Sequence, residues 1–373
     1  MSRPVWARVD FNALHSNLQL VRTLAPGSAI MAVVKANAYG HGAVGVARSI
    51  RSLVDGYAVA GIDEAEELAS AGVEKQIFLL SGFHERPEID QIGERGFIPV
   101  IHSWEQIQQI DTASVSRQHT VWVKFDSGMH RIGFPPEQVN GVLDRLGSCA
   151  HVKCAGLMSH LACADDRKSA YNDLQIELFG RTTAPFDHSR SLANSAGVCA
   201  WPRSHHDWVR PGIMMYGCTP LLDETENDIG LRPVMSLCSK IIAVHRLKRG
   251  DPIGYGGDWC CPEDMRVGVV ACGYGDGYPR HAPSGTPVWI RGQRAGILGR
   301  VSMDMMTVDL RGLDEAEIGD VVELWGKHVT ATEVATSAGT ISYEILSGVT
   351  SRVPRIIGEP PPRVPGHRAK HAG

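Results

Sequence analysis

The sequence predicts an α/β fold, an N-terminal TIM (β/α)8 barrel followed by a mostly β C-terminal domain. Over the first 220 or so residues, short β-rich runs alternate with amphipathic helical stretches, and eight such units in succession favour a barrel over an open sheet. Beyond about Leu231 the helical periodicity fades, and short strands stand between Gly, Pro and Asp turns. A chain of 373 residues also suggests two domains more than one.

The barrel strands are predicted at Ala29 to Val34, Tyr57 to Ala60, Ile77 to Leu80, Ile98 to Ile101, Thr120 to Phe125, Val152 to Met158, Ser189 to Ala193 and, weakly, Trp208 to Arg210. Each is short and rich in Val, Ile and small residues, as strands buried on both faces are. Between them lie helical patterns such as Leu14, Leu18 and Val21 behind an Asp10 cap, or Val139, Val142, Leu143 and Leu146 after Pro135-Pro136. The later strands are predicted at Ser239 to His245, Val267 to Cys272, Thr286 to Ile290, Met306 to Leu310 and Val321 to Trp325. Acidic residues crowd Leu222 to Gly230, so the boundary is set there: 1–228 for the barrel and 229–357 for the β domain. A first strand within 1–10 can pack with the C-terminal domain, and 358–373, with Pro360-Pro361-Pro362 and basic residues, is expected to be a mobile tail.

Composition excludes several function classes. A net charge of -4 and scattered basic residues offer no field for nucleic acid. No run approaches the length of a membrane helix, and Met1 to Phe11 lacks the order of a signal peptide, so a cytoplasmic location is expected. Nine cysteines without a C-x-x-C pair suit neither a disulfide framework nor a zinc site, and no metal is expected.

The segment Val33-Val34-Lys35-Ala36-Asn37-Ala38-Tyr39-Gly40-His41-Gly42 places a lysine at the end of an apolar strand before a glycine-rich helix entry. Desolvation there makes an amine a low-pKa nucleophile. Gly40, Gly42 and Gly45 also spell G-x-G-x-x-G, with Asp63 some way on, as a dinucleotide site would. Against a dehydrogenase, five residues separate the strand from the first glycine, where that turn needs the glycine almost at once.

Barrel chemistry gathers at the C-terminal ends of the strands. Lys35 ends the first strand; Lys124, followed by Asp126 and Arg131, ends the fifth; His160 follows the sixth, Asn194-Ser195 the seventh and Arg210-Pro211-Gly212 the eighth. The loops after strands seven and eight are the usual phosphate site, where Ser195, Gly212 and Ile213 offer a hydroxyl and backbone N–H groups. A lysine, a phosphate cradle and an imidazole together suggest pyridoxal 5'-phosphate as cofactor.

Five ordered blocks carry a family resemblance: Val34 to Gly42; Lys124-Phe125-Asp126-Ser127-Gly128-Met129-His130-Arg131-Ile132-Gly133; Ser159-His160-Leu161-Ala162; Arg210-Pro211-Gly212-Ile213-Met214-Met215-Tyr216-Gly217; and Gly299-Arg300-Val301-Ser302-Met303-Asp304. Over nearly its whole length up to the tail, the chain resembles the alanine racemases, fold-type III pyridoxal-phosphate enzymes. The resemblance implies interconversion of L- and D-alanine by two bases in a homodimer whose active sites are shared between chains. Lys35 would link to the cofactor and then act as base on one face of the substrate Cα; Tyr255, in Ile253-Gly254-Tyr255-Gly256-Gly257, would reach the other face from the partner subunit. An ordinary tyrosine titrates near 10, so it needs a positive neighbour to act as a base at neutral pH. His160 and Arg210 are similar to the residues that supply it, and Arg210 would face the pyridine nitrogen.

The resemblance further implies that Tyr39, Asn194, Ser195, Gly212, Ile213 and Tyr343 hold the cofactor, chiefly its phosphate. Arg131 would contact the substrate carboxylate, as would the Met303 backbone N–H from the partner, with Asp304 beside it. Lys124 resembles a position carbamylated by CO2, whose anion would orient Arg131, and Tyr274 and Arg280 resemble residues that narrow the entrance. Plainer readings stand beside these: a salt bridge from Arg210 to Asp207, an unmodified Lys124 paired with Asp126, a turn or packing role for Tyr255, and a hairpin turn at Gly275-Asp276-Gly277. One departure concerns Arg352-Val353-Pro354-Arg355, followed here by Ile356-Ile357 where the family often has a tyrosine, which bears on the local C-terminal packing. A racemase of broader specificity, a non-catalytic pyridoxal-phosphate barrel and a decarboxylase are the alternative functions.

Overall fold

The computed structural model describes residues 3–111 and 118–358, so the expected tail lies, beyond Gly358, outside the described residues. The chain divides into two compact units, one of residues 12–232 and one combining the first eleven residues with the chain from Pro233 onward. Strand β1 (Trp6–Val9) belongs to the latter.

The first unit is a closed barrel of eight parallel strands: β2 (Ala29–Val33), β3 (Gly56–Val59), β4 (Gln76–Leu79), β5 (Ile98–Ile101), β6 (His119–Lys124), β7 (Val152–Met158), β8 (Ser189–Ser191) and β9 (Trp208–Val209). All eight fall where the sequence predicts them, and β9 closes the ring by pairing Trp208 with Ala29 and Val209 with Ile30. The barrel core is aromatic: Phe78 meets Trp122 and Trp208 edge-on, with ring centroids 5.6 and 5.5 Å away. A Cβ on Gly156 would come within 2.5 Å of the Trp122 indole, so only glycine lets β7 pass that ring. Outside, helix Phe11–Leu24 buries Leu14, Leu18 and Val21, each worth about 1.5–3 kcal/mol when removed from water.

In the second unit, β10 (Met235–Leu247) is a 13-residue strand that pairs antiparallel with β1. It is followed by the two-residue strands β11 (Pro252–Ile253) and β12 (Trp259–Cys260), a small hairpin of their own. Then come β13 (Met265–Val270), β14 (Pro287–Ile290), β15 (Gln293–Leu298), β16 (Met306–Asp309), β17 (Val321–Trp325) and β18 (Arg355–Ile357). The eight-stranded sheet runs β13-β16-β15-β14-β17-β10-β1-β18, and β10 also reaches β13 after a register shift between Ile241 and Ala243. The sequence reading omits β15 and the helices Ala331–Ser337 and Ser342–Ser347. Ile356 and Ile357 lie in β18, parallel to β1, and the Arg355 guanidinium donates to the carbonyls of Val349, Thr350 and Val353.

Candidate active site

Lys35 follows β2 after Val34, half-buried at the C-terminal end of the barrel strands. Between that lysine and the glycine-rich helix entry, Ala36, Asn37, Ala38 and Tyr39 form a left-handed turn with φ of 52°, 53°, 52° and 50°, and the regular helix begins at Ala43, after Gly42. Left-handed geometry costs an L-residue about 1–2 kcal/mol, so four in succession require support. Gly40 N–H donates to Ala36 O at 3.0 Å, Gly42 N–H to Asn37 O at 3.0 Å, and Ala43 N–H to Asn37 Oδ1 at 2.8 Å. The glycines thus serve the exit from this turn, with φ of 79° at Gly40 and 96° at Gly42. The turn leaves Tyr39 buried, its ring 4.9 Å from that of Tyr216, which His41 also stacks upon at 4.5 Å.

Four cationic groups bear on one another at this mouth. Desolvation lowers the Lys35 amine below its usual range, and the Arg131 charge adds to this while Glu64 opposes it. Lys124, buried at the end of β6, is pushed down to about 7 by desolvation and then by Arg210, Arg131 and Lys35. Asp126 does not form the salt bridge to Lys124 that the sequence allows; its carboxylate accepts from the Gly128 and His130 N–H groups of its own loop. Ser127 and Ser159 join their hydroxyls at 2.8 Å, and the buried Gln175 donates to Ser127 Oγ and His160 O, tying together the loops after β6 and β7.

Arg210, buried at the end of β9, pairs with no Asp207, which meets Arg190 instead. Its Nη1 donates to Ser191 Oγ at 2.6 Å, and its Nη2 to Ser159 O at 2.6 Å and Leu192 O at 3.2 Å. Burial pulls the guanidinium down to about 10, still protonated at neutral pH. His160 Nδ1 faces Nη2 at 3.3 Å, and Asn194 Nδ2 lies 3.4 Å from Nε2. Asn194 is oriented by its Oδ1, which accepts the Gly197 N–H and caps helix Ser195–Ala200. Desolvation, then the charge of Arg210, holds His160 well below its usual range, hence neutral.

Ser195 Oγ accepts the N–H groups of Gly212 at 2.8 Å and Met214 at 3.4 Å. With two donors directed into the oxygen, its own hydrogen is a donor for a further acceptor. A Cβ on Gly212 would lie 2.7 Å from Tyr39 Oη, so glycine permits the close approach of the β9 loop to that phenol. Met214, quoted in a sequence block but given no role there, joins the cradle beside the buried Ile213. The donor set fits a phosphorylated, aldehyde-bearing cofactor: a partly desolvated amine, hydroxyl and amide donors, and excess positive charge.

The remaining candidates lie in the second unit. Tyr255 is 68% exposed in the loop between β11 and β12, where Gly254, Gly256 and Gly257 all have positive φ. The Arg300–Asp258 ion pair closes that loop at 2.5 Å. Met303 is 51% exposed, and its carbonyl accepts the Gly275 N–H at 2.8 Å. Asp304 pairs with Arg352. Gly275-Asp276-Gly277 is no hairpin turn: Tyr274–Asp276 is a single 3-10 turn, with Asp276 fully buried and accepting its own Gly273 N–H. Arg3 grips that carboxylate with both Nη atoms, at 2.5 and 3.0 Å. Tyr274, Arg280 and Tyr343 are exposed in the same unit. Sequence reasoning missed Asp258, Arg300 as a clamp, and the Arg3–Asp276 pair; only Arg300, inside a quoted block, carried a signal.

Among the described residues, no helix is long and apolar enough to cross a membrane. The alanine racemase N-terminal domain profile matches residues 9–220, and the alanine racemase C-terminal domain profile residues 234–357. Alanine racemase of Halorhodospira halophila is 47% identical over 356 residues, covering 95% of this chain and 98% of the relative. That of Shewanella woodyi is 47% identical over 93% of this chain and 97% of its own. In structure, the biosynthetic alanine racemase of Pseudomonas aeruginosa superimposes with a TM-score of 0.93 at 45% identity, covering 96% of this chain and all of that one. The alanine racemase of Acinetobacter baumannii gives 0.90 at 36% identity, over 95% of this chain and 100% of that one. With both profiles, near full-length relatives and a shared fold in agreement, the chain belongs to the alanine racemase family of isomerases.

Proposed function

We propose that the enzyme interconverts L- and D-alanine with pyridoxal 5'-phosphate, using Lys35 on one face of the substrate Cα and Tyr255 of the partner subunit on the other. The carrying observation is the cluster of Lys35, Lys124, Arg131, Arg210 and neutral His160 around the Ser195–Gly212 cradle, with Asp126 turned into its own loop. Pyridoxal phosphate, when bound, supplies an electron sink for the substrate Cα. The protein's part is then to hold groups and move protons. Ser195, the Gly212 and Ile213 segment, Tyr39, Asn194 and Tyr343 hold the phosphate. Arg210, its Nη1 and Nη2 bonded to fixed oxygens, would face the ring nitrogen; a guanidinium that keeps its proton would leave that nitrogen without one, which would favour return of the proton to Cα over side reactions.

Lys35, lowered by desolvation, takes the proton from one face, and Tyr255 returns one from the other. Arg131 and, from the partner subunit, the Met303 N–H bind the substrate carboxylate, with Asp304 beside the latter. Lys124, with an amine near pKa 7, is neutral often enough to attack CO2; the new N–C bond releases an amine proton and creates an anion that orients Arg131. The exposure of Tyr255 and Met303 in a single chain supports a homodimer in which each barrel is completed by the partner's second unit, and Tyr274 and Arg280 would then narrow the entrance. Nine free thiols support a reducing, cytoplasmic setting.

The test is a visible spectrum of the purified protein followed by circular dichroism of L- and D-alanine mixtures. Lys35→Ala should abolish the cofactor's protein-linked absorbance, and Tyr255→Phe should retain it while losing proton exchange for one enantiomer. Wild-type racemisation of both enantiomers by Tyr255→Phe would overturn the two-base reading. Equal rates with serine or larger amino acids would replace alanine by a broader substrate class.

A further inference from the structure

We infer that Glu64 is a positioning residue for Lys35, its carboxylate clamping the left-handed turn to the neighbouring barrel strand; this rests on the reading that Lys35 carries the cofactor. Glu64 lies in the first turn of helix Ile62–Ser70, which follows β3. Its Oε1 accepts the Ala36 N–H at 2.6 Å, and its Oε2 accepts the Ala60 N–H at 2.7 Å. Ala36 is the residue after Lys35 and the first of the four with positive φ; Ala60 immediately follows β3. One carboxylate thus spans the ends of two adjacent, hydrogen-bonded strands, β2 and β3.

The chemistry of the contact selects an ionised carboxylate. Both facing groups are backbone N–H donors, so both side-chain oxygens must accept, and short charge-assisted bonds of this kind are among the stronger ones. Glutamine at this position has one acceptor and one donor, and in either orientation its NH2 would face an N–H. The position also explains how the strain is borne. Ala36 and Asn37 are exposed, so packing does little to hold the start of the turn, whereas Ala38 and Tyr39 are buried and held by their surroundings. Without the Glu64 bond, the chain after Lys35 can relax toward ordinary negative φ, and the direction of the lysine side chain relaxes with it. Glu64 positions Lys35 through the backbone and touches no reacting atom; its charge also opposes the lowering of the Lys35 amine, so loss of that charge alone would favour attachment and not slow it.

The experiment compares wild type, Glu64→Gln, and Glu67→Gln, an exposed residue on the same helix, as folded apoproteins reconstituted with pyridoxal phosphate. Covalent attachment at Lys35 is followed by visible absorbance, then by borohydride trapping and peptide mass. Hydrogen exchange of the Ala36 amide is read on the apoproteins. Glu64→Gln is expected to slow attachment and to lower Ala36 protection, each by roughly tenfold, with Glu67→Gln matching wild type. Wild-type attachment rate and Ala36 protection in Glu64→Gln would overturn the inference while leaving the Lys35 reading intact. Trapping of the cofactor on another lysine in the wild-type protein would instead overturn that reading. Should Glu64→Gln fail to fold, Glu64→Asp, which keeps the charge but retracts it by one methylene, is read in the same way.

Discussion

The Nη2 atom of Arg210 lies 3.3 Å from Nδ1 of His160, and since a guanidinium can only donate, this contact favours the tautomer whose single proton sits on Nε2. The Gly197 N–H bond to Oδ1 fixes the Asn194 amide with its Nδ2 donor 3.4 Å from Nε2, a contact that favours the opposite tautomer. Two donors thus compete for the single accepting nitrogen of a neutral imidazole, and the nearer permanent cation is that of Arg210.

Replacing Arg210 by Ala should therefore cost stability and release His160. Ser159 O, Leu192 O and Ser191 Oγ would lose their donor in a buried setting, a penalty of about 3 kcal/mol in urea denaturation. Removal of the adjacent charge should raise the His160 pKa, read by NMR titration of its ring. A His160 resonance that titrates at the same pH in both proteins would mean that burial, without the Arg210 charge, sets its pKa.

Lys124 makes a pH prediction whose sign follows from linkage. Its folded-state pKa, about 7, lies below the ordinary lysine value of 10.5, so the unfolded chain binds more protons between those limits. Stability should rise as pH climbs through this window, and the penalty for burying the amine should be fully present below it. Lys124→Met should flatten the rise and make the apoprotein more stable near pH 6.5, measured by denaturant midpoints across pH in CO2-free buffer. Admitting CO2 should stabilise wild type alone, since the methionine variant has no amine there to capture it.

How much of this was legible in the sequence depended on whether local residues carried the signal. The barrel strands were visible because short β-branched runs such as Ile98 to Ile101 recur between helical patterns. Strand β15 was not, because Gln293-Arg294-Ala295-Gly296 is polar and small, and its place comes from pairing with β14 and β16. Helix Ala331–Ser337 did carry a signal, the capping box of Thr330 and Glu333, which the β-rich surroundings obscured. The left-handed turn after Lys35 had none: Ala36, Asn37, Ala38 and Tyr39 are ordinary L-residues forced over by contacts from distant segments. Site residues at strand ends were found by position, whereas Glu64, Gln175 and Met214 act through hydrogen bonds that no spacing rule reveals.

Gly212→Ala should disturb the cradle through Tyr39. The new Cβ would stand 2.7 Å from Tyr39 Oη, and that ring is confined by Tyr216 at 4.9 Å, so one of them must shift. The overpacking cost should be about 1–3 kcal/mol, and pyridoxal-phosphate affinity should fall by roughly tenfold in a fluorescence titration. Tyr39→Phe removes both the clashing oxygen and a proposed phosphate contact, so in that background Gly212→Ala should cost little further affinity; a full tenfold loss there would move the cause to the Gly212 N–H bond with Ser195.

Arg3→Ala should loosen the second unit at the turn that carries Tyr274. Asp276 is fully buried, and Arg3 supplies both arms of its bidentate ion pair, leaving Arg352 at 3.6 Å as the remaining cation. Breaking a buried pair from one side costs about 3–5 kcal/mol; Arg3 is a third exposed, so a loss of about 2 kcal/mol is expected. Arg3→Lys should recover less than half of it, because an ammonium cannot match two oxygens at once. Arg3 also donates to the Asp304 carbonyl at 3.0 Å, beside Met303. The alanine variant should therefore raise KM for alanine more than it lowers kcat, whereas a purely structural loss would lower the active fraction and leave KM unchanged. Thermal melts and steady-state kinetics on the same preparations separate these outcomes.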